Sequence, residues 1–419
     1  MSASVAAGLP GIGDPQALRR QMGHAERRRK LRAFSLTLPL LLFLLLTFLV
    51  PIATLLKRAI ENPEVANALP RTVAELQGWN REETPPDGAF VALTKDLGGL
   101  PDSSDAGALA RRLNSDTPGA RSLVMATFKA LPLTDATSPA EVKARLLVLD
   151  ERWGEPKYWR AIAKNGARWT PDYLLTSVDL RRDARGAIER VDPEQRVFGR
   201  ILVRTFEISA IVTFWTLLLG FPLAYWLSTL PARQANVLMI LVLVPFWTSI
   251  LVRVAAWIVL LQSEGLVNHA LIGMHLIEHP LALLFNRTGV IIAMVHILLP
   301  FMILPLYSVM KSVPPTYLRA AVSLGSFPLA AFFRVYVPQT YPGIGAGALL
   351  VFILSIGYYV TPALLGGADD QMLSYYVAQY TNVTVNWGMA CALGALLLGA
   401  TLVLYALYRR VTKSELSLG

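Results

Sequence analysis

One cysteine is all the sequence has, and Cys391 lies inside an apolar run, so neither a disulfide nor a cysteine-held metal carries the fold. Charge is scarce too. Asp, Glu, Lys and Arg make up 16% of the 419 residues, where a soluble domain carries about 25%. No G-x-x-x-x-G-K-[ST] stretch occurs, which excludes ATP hydrolysis through a phosphate-binding loop of the chain's own. No internal repeat or low-complexity tract stands out. Apolar residues are abundant instead: 54% are hydrophobic and the mean hydropathy is +0.45, as in a membrane protein. The net charge of +10 does not point to nucleic acid, because much of the excess sits in the N-terminal tail and in short loops between apolar runs, where it sets topology.

Residues 1–33 form a basic tail in which Arg19, Arg20, Arg27, Arg28, Arg29, Lys30 and Arg32 precede the first apolar run. By the positive-inside rule this tail is cytoplasmic. Residues 34–56 are long enough to span a bilayer, exceed a signal-peptide core and lack a clear cleavage site after them, so they predict an uncleaved first transmembrane helix. Residues 57–200 have the composition of a soluble domain, and one helix separates them from the tail, which makes them periplasmic. Helical patterns run over Ala106–Leu113, Ala140–Leu149 and Pro156–Ala163, and Trp79, Trp153, Trp159 and Trp169 offer aromatic bulk for a small core.

Apolar stretches at about 204–228, 235–260, 288–310, 343–362 and 387–409 bring the count to six spans. The expected fold is an all-α polytopic membrane protein with six transmembrane helices and a mainly helical periplasmic insertion between the first and second. Arg233, then Lys311, Arg319 and Arg334, then Arg409, Arg410 and Lys413 mark the cytoplasmic side. Both termini are then cytoplasmic; residues 201–410 form a five-helix core with a cytoplasmic loop at 311–342, and 411–419 a second tail. Pro222, Pro245, Pro300 and Pro305 fall within spans, where each removes a backbone hydrogen bond.

His275-Leu276-Ile277-Glu278-His279 matches the H-x-x-E-H pattern in which two histidines one helical turn apart hold zinc. It sits in a short loop just before Pro280 with no further acidic ligand standing out downstream, so no metal site is expected. The stretch from Tyr317 to Ile344 is a polar interruption between apolar segments. Ala320, Ala321, Leu324 and Phe327 fall on one helical stripe, Gly325 and Ser326 stop that helix, and Pro328 suits the first turn of another. A short helix, a hinge and a second short helix are predicted.

Ala320-Ala321, then Gly325 and Pro338, with Pro342-Gly343 following, resembles the Glu-Ala-Ala loop of ATP-binding-cassette importer permeases. In that family the loop is a coupling helix that docks into a cytoplasmic ATPase, and the resemblance gives that part to Arg319, Ala320, Ala321, Leu324, Gly325 and Pro338. Arg319 departs from the family's usual glutamate and reverses a charge that would face the ATPase. Pro245–Leu261, Gly265–Asn268, Leu298–Tyr307 and Ser355–Gly367 are similar to the permease subunits of spermidine/putrescine importers, over roughly residues 200–410. The insertion is not part of that pattern, in which the first outer loop is short.

The resemblance implies a multi-pass permease of the bacterial inner membrane, forming half of a path for a small solute by alternating access. It also implies a second permease subunit, cytoplasmic ATPase subunits and a periplasmic substrate-binding protein as partners. The chain is then no enzyme and has no cofactor, since ATP is bound by the partner ATPase. Glu207 and Arg253 are charges within apolar spans, and both are expected near the outer mouth. There they either pair with each other, or Glu207 attracts a polyamine ammonium while Trp247, Trp257, Tyr358 and Tyr359 offer cation–π faces along the path. The alternatives are a membrane-anchored sensor or scaffold that recognises through its periplasmic domain and, third, a membrane peptidase.

Overall fold

The computed structural model describes residues 34–133, 138–182 and 187–416, so the basic tail 1–33 and residues 417–419 of the second tail lie outside the described residues. The first helix stands as a unit by itself, and the chain from Arg58 onwards forms a second unit. Helix α1, Phe34–Arg58, is 25 residues long. Pro51 has no N–H to give the carbonyl of Thr47, and its ring crowds that carbonyl, so the preceding turn at Leu45–Leu49 widens to π geometry.

The second unit opens with helices α2 (Pro63–Ala68), α3 (Pro70–Glu75), α4 (Asp87–Gly98), α5 (Ser103–Asp116), α6 (Ala120–Ala130), α7 (Pro139–Leu149), α8 (Pro156–Asn165) and α9 (Asp172–Ser177). Several of them begin where the sequence supplies a start. Asp102 caps α5 by accepting from the N–H groups of Ser104 and Asp105, Ser138 and Glu141 form a reciprocal cap on α7, and Pro156 sets the first turn of α8. The apolar stripes meet around Phe90, Trp153 and Trp159, with ring centroids 4.6 Å apart for Phe90 and Trp159 and 5.2 Å for the two tryptophans. Neither buried indole is left unsatisfied: Trp159 donates to the carbonyl of Trp153 at 2.7 Å and Trp153 to the hydroxyl of Thr127 at 2.9 Å. Trp79 packs at the edge of this core. Trp169 does not belong to it: it lies 53% exposed beside the isolated bridge to Glu61, where extended backbone turns its side chain away.

A buried polar knot ties the two ends of the insertion together. Arg112 donates from Nε to Asn62 Oδ1 at 2.9 Å and to the side chain of Asn165, and Asn62 donates back to the Asn165 carbonyl at 2.9 Å. The Tyr173 hydroxyl donates to the same Asn62 oxygen at 3.2 Å, with the Arg112 guanidinium 5.0 Å from its ring. Burial pushes the Tyr173 phenol up to about 12, against the pull of Arg112, so it stays a donor. A two-stranded antiparallel hairpin, β1 (Leu180–Arg182) and β2 (Ile188–Arg190), follows in register Leu180 to Arg190. Asp179, at φ +58°, then turns its carboxylate onto the N–H groups of Val197, Phe198 and Gly199 at 3.0, 3.0 and 2.7 Å. These are orphan donors at a helix start, and a carboxylate there also meets the positive end of the helix dipole.

That helix is α10, Phe198–Thr229. After it come α11 (Ala232–Leu243), α12 (Ile250–Leu261), α13 (Leu266–Gly273), α14 (Arg287–Ser312), α15 (Thr316–Ser323), α16 (Pro328–Gln339), α17 (Tyr341–Gly357), α18 (Val360–Leu365), α19 (Leu373–Asn382) and α20 (Trp387–Leu416). Five helices of the described residues are long and apolar enough to cross a membrane, and six if α16 and α17, bent by 63°, count as one span. The stretch expected as one span at 235–260 is instead broken. Pro245 cannot continue the ladder, a 3-10 turn occupies Val244–Trp247, and the helix restarts at Ile250 to run on, with α13, to Gly273. The expected span at 343–362 likewise ends at Gly357, with α18 following after Tyr358 and Tyr359.

Helices α10, α14 and α17 form the centre of this region around Ile208, Met294, Met302 and Val351. They approach closely through glycine: a Cβ on Gly220 would stand 3.1 Å from Met302, one on Gly347 2.8 Å from Met302 and one on Gly343 3.0 Å from Val309. The insertion is seated on the same bundle. Ala59, Tyr173, Ile201, Leu373, Met389 and Leu393 share one buried cluster, in which the Tyr173 ring lies directly over Gly388 of α20.

Candidate functional site

The loop between α14 and α17 holds a largely exposed helix, touching the bundle through Leu318, beside an anchored one. No residue of α15 is buried, and its end is closed by a left-handed cap: Gly325 sits at φ +93°, its N–H bonds the Val322 carbonyl at 2.9 Å, and the Ser326 N–H reaches the Ala321 carbonyl at 3.1 Å. Only glycine takes that φ freely, so the hinge belongs to Gly325. Around it Leu324 is 89% and Phe327 82% exposed, with Arg319 and Ala320 also exposed and Ala321 half-buried. Helix α16 widens to a π-turn at Phe332–Tyr336, again just ahead of a proline, here Pro338. Inside that turn Phe332 stacks on Tyr336 at 5.4 Å and meets Tyr225 of α10 edge-on at 5.0 Å. Lys311 donates to the carbonyls of Ser228 and Leu230 at 3.2 and 3.1 Å, so the loop is fastened to the end of α10 at two places.

At the other end of α10 the charges are arranged differently from the expected pair. Glu207 Oε1 accepts from Arg287 at 3.0 Å, and Arg287 Nε reaches Asp370 Oδ1 at 3.3 Å, so the partner of Glu207 is Arg287 and not Arg253. The physical reason is the packing of α10 against α14, whose first turn carries Arg287, whereas Arg253 stands on a helix that starts afresh after Pro245. Arg204 adds a bond to the Asp369 carbonyl and Thr205 accepts from the N–H of Leu373 at 2.9 Å, which ties segment 367–373 to α10. Sequence reasoning missed Arg287 and Asp370 because both lie in loops or at a helix end, where a charge draws no notice. Their signal was the pair of acids, Asp369 and Asp370, in a stretch otherwise apolar.

Arg253 belongs to another group. Trp257, one turn on, donates from Nε1 to His296 Nδ1 at 3.2 Å, and the two rings meet edge-on with centroids 5.4 Å apart. Trp257 and Tyr358 of the expected path pack against the same buried cluster, Arg253 stands one turn before Trp257, and His296 is a member the sequence did not reveal. Tyr359 is 43% exposed, and Trp247 projects 77% exposed from the break before α12. An apolar groove of about 540 Å³ runs alongside, lined by Trp215, Leu219, Trp257, Ile292, His296 and Leu299. The H-x-x-E-H segment is not helical; His275 has φ +57°, so its two histidines do not share a helix face.

A bundle of apolar helices packed through glycine, interrupted by prolines and carrying an exposed two-helix loop is a membrane transport subunit. The family model described as the binding-protein-dependent transport system inner membrane component matches residues 209–415, and the chain belongs to that family. The spermidine/putrescine transport system permease protein PotB of Escherichia coli (strain K12) is 32% identical over 226 residues, covering 53% of this chain and 82% of that one. PotB of Haemophilus influenzae is 36% identical over 215 residues, covering 51% and 75%. Among solved structures, a bacterial alginate ABC transporter in complex with alginate pentasaccharide-bound periplasmic protein is similar over 52% of this chain and 81% of that one, at 18% identity and a TM-score of 0.43. The chain is accordingly a multi-pass inner-membrane transport subunit.

Proposed function

We propose that the chain forms half of the transmembrane path of an importer for a polyamine such as spermidine or putrescine. The observation that carries this reading is the loop around Gly325, where exposed Leu324 and Phe327 flank a hinge whose far helix is fastened to α10. Exposed apolar side chains of this size at a helix end fit a covering partner, and a cytoplasmic ATPase subunit that binds ATP is that partner here. Closure of the ATPases pushes α15, Phe332 and Lys311 pass the movement to α10, and the path opens towards a periplasmic binding protein. Arg319 in place of the family's glutamate then calls for an acidic patch on the ATPase cleft. Both termini lie in the cytoplasm, and the insertion lies in the periplasm beside the docked binding protein.

The polyamine assignment is supported by the PotB relatives and by charge. Glu207 and Asp370 share one guanidinium, so the cluster keeps a net negative charge that draws an ammonium. The test is uptake of labelled spermidine and putrescine by membranes carrying the chain with its second permease, ATPase and binding protein. Uptake is expected to need ATP and to vanish in Ala321→Asp at unchanged membrane levels, because the new charge is buried on docking. Uptake that survives the substitution rules out the loop as the coupling element, and ATP-driven uptake of some other solute with none of polyamine corrects the substrate.

A further inference from the structure

Arg204 and Lys311 lack a carboxylate partner, as Arg253 does, but donate to backbone carbonyls, whereas Arg253 makes no side-chain hydrogen bond among the described residues. Its Nε is buried without a hydrogen-bond partner, and no ion pair among the described residues involves it. The carboxylates nearest in role, Glu207 and Asp370, are both engaged by Arg287. The imidazole of His296, which faces Trp257 one turn along, already accepts from the indole at Nδ1 and supplies no anion. An arginine in an apolar span persists only where a partner or a water-filled cavity takes up its charge.

Its position on α12 shows where that partner stands. Val254 and Leu261 are buried against the bundle, while Leu251, Val252 and Val259 are 59%, 60% and 62% exposed and Ala255 and Ala256 are exposed between them. Arg253 and Trp257 lie one turn apart along the border between these two faces, half-buried, so the guanidinium faces the edge of an unpartnered apolar stripe with two small residues in it. Small residues let a neighbouring helix come close. A polycationic solute does not supply the missing charge; it repels Arg253.

We propose that Arg253 receives a carboxylate from the second permease subunit, an Asp or Glu of a helix packed along the exposed face of α12, so that the two halves of the path are held together by an intramembrane ion pair at this seam. The proposal rests on the importer reading above, which supplies the second subunit.

The test uses the whole complex, purified through a tag on this chain after mild extraction. Arg253→Gln and Arg253→Glu are expected to leave the amount of this chain in the membrane unchanged and to reduce recovery of the second permease about threefold and more than tenfold, with Arg253→Lys close to wild type. Suppressors of Arg253→Glu are expected to convert one Asp or Glu of the second permease to Lys or Arg, which marks the partner. Full recovery of the second permease with Arg253→Glu overturns the proposal. So does intact assembly with a tenfold rise in the solute KM, since the counter-charge then belongs to the solute, and so does recovery of a second copy of this chain in its place. Wild type that recovers no other permease overturns the importer reading itself, an outcome separate from the variants' results.

Discussion

The insertion and helix α10 differ in the side chains they bury. In the insertion the innermost side chains include the aromatic ones, with Trp159 and Phe90 at 0% and Trp153 at 1% exposure. In α10 the buried positions are Thr205, Ser209, Thr216 and Gly220 as well as Ile208 and Val212, while Val203 and Leu218 are 68% and 50% exposed. Water drives bulk inwards because apolar area is costly to hydrate, at about 25 cal/mol per Å². Lipid exerts no such force, so helices there gain by coming close, and small residues allow it. The same difference governs charge. Ion pairs in the insertion are spread and partly solvated, as between Arg152 and Asp150 at 2.6 Å, whereas Glu207, Arg287 and Asp370 concentrate in one cluster.

If this contrast holds, the two regions break independently, and the largest effect comes from the insertion's aromatic centre. Trp159→Ala is expected to cost about 3–5 kcal/mol and to melt the insertion while α10, α14 and α17 stay protected in hydrogen exchange. Loss of protection in those helices as well means that the insertion is part of their folding unit.

Next comes the charge cluster. Removing Arg287 leaves Glu207 and Asp370 without their shared guanidinium, at a cost below the about 2.5–3.5 kcal/mol of an unpaired charge at a span's centre, since Glu207 is half exposed. Arg287→Ala is therefore expected to lower membrane levels and uptake several-fold, and the swap of Glu207→Arg with Arg287→Glu to recover a good part of both. A swap no better than the single changes shows that geometry, not the pair, is needed. Gly388→Leu sharpens the comparison at the seam, because any side chain there meets the Tyr173 ring. It is expected to raise protease cleavage near α9 about tenfold without changing membrane insertion; unchanged cleavage leaves the seam unimportant.

The smallest effect is acid sensitivity of the insertion. At Asp172 burial works to raise the pKa, but hydrogen bonds from Arg182 and Thr170 outweigh it and hold the carboxyl below its ordinary value. At Asp150 the Arg152 guanidinium lowers it. A carboxyl whose folded pKa is depressed stabilises above its unfolded value and loses that contribution as pH falls through the folded one. The insertion's melting temperature should thus drop below the ordinary carboxylate range, and Asp172→Asn should remove about 2 °C of that drop. An equal drop in the variant places the sensitivity elsewhere.

Patterns that act over one or two turns were legible from the residues alone. The apolar runs, the helices around Ala106–Leu113 and Pro156–Ala163 and the stop at Gly325 each depend on residues close together along the chain, so sequence order carries them. Hydropathy read Pro245 as lying within a span, since it records how apolar a stretch is and not whether its ladder continues. Contacts across long separations had no such signature. The Glu207–Arg287 pair spans 80 residues, Asp179 caps a helix from 18 to 20 residues upstream, and Tyr173 meets Gly388 across the insertion and the bundle. Which of several charges pair follows from how the packing of α10 against α14 sets Arg287 beside Glu207. That packing brings glycines of α10 and α17 against Met302 and Val309 of α14, contacts that no single segment specifies.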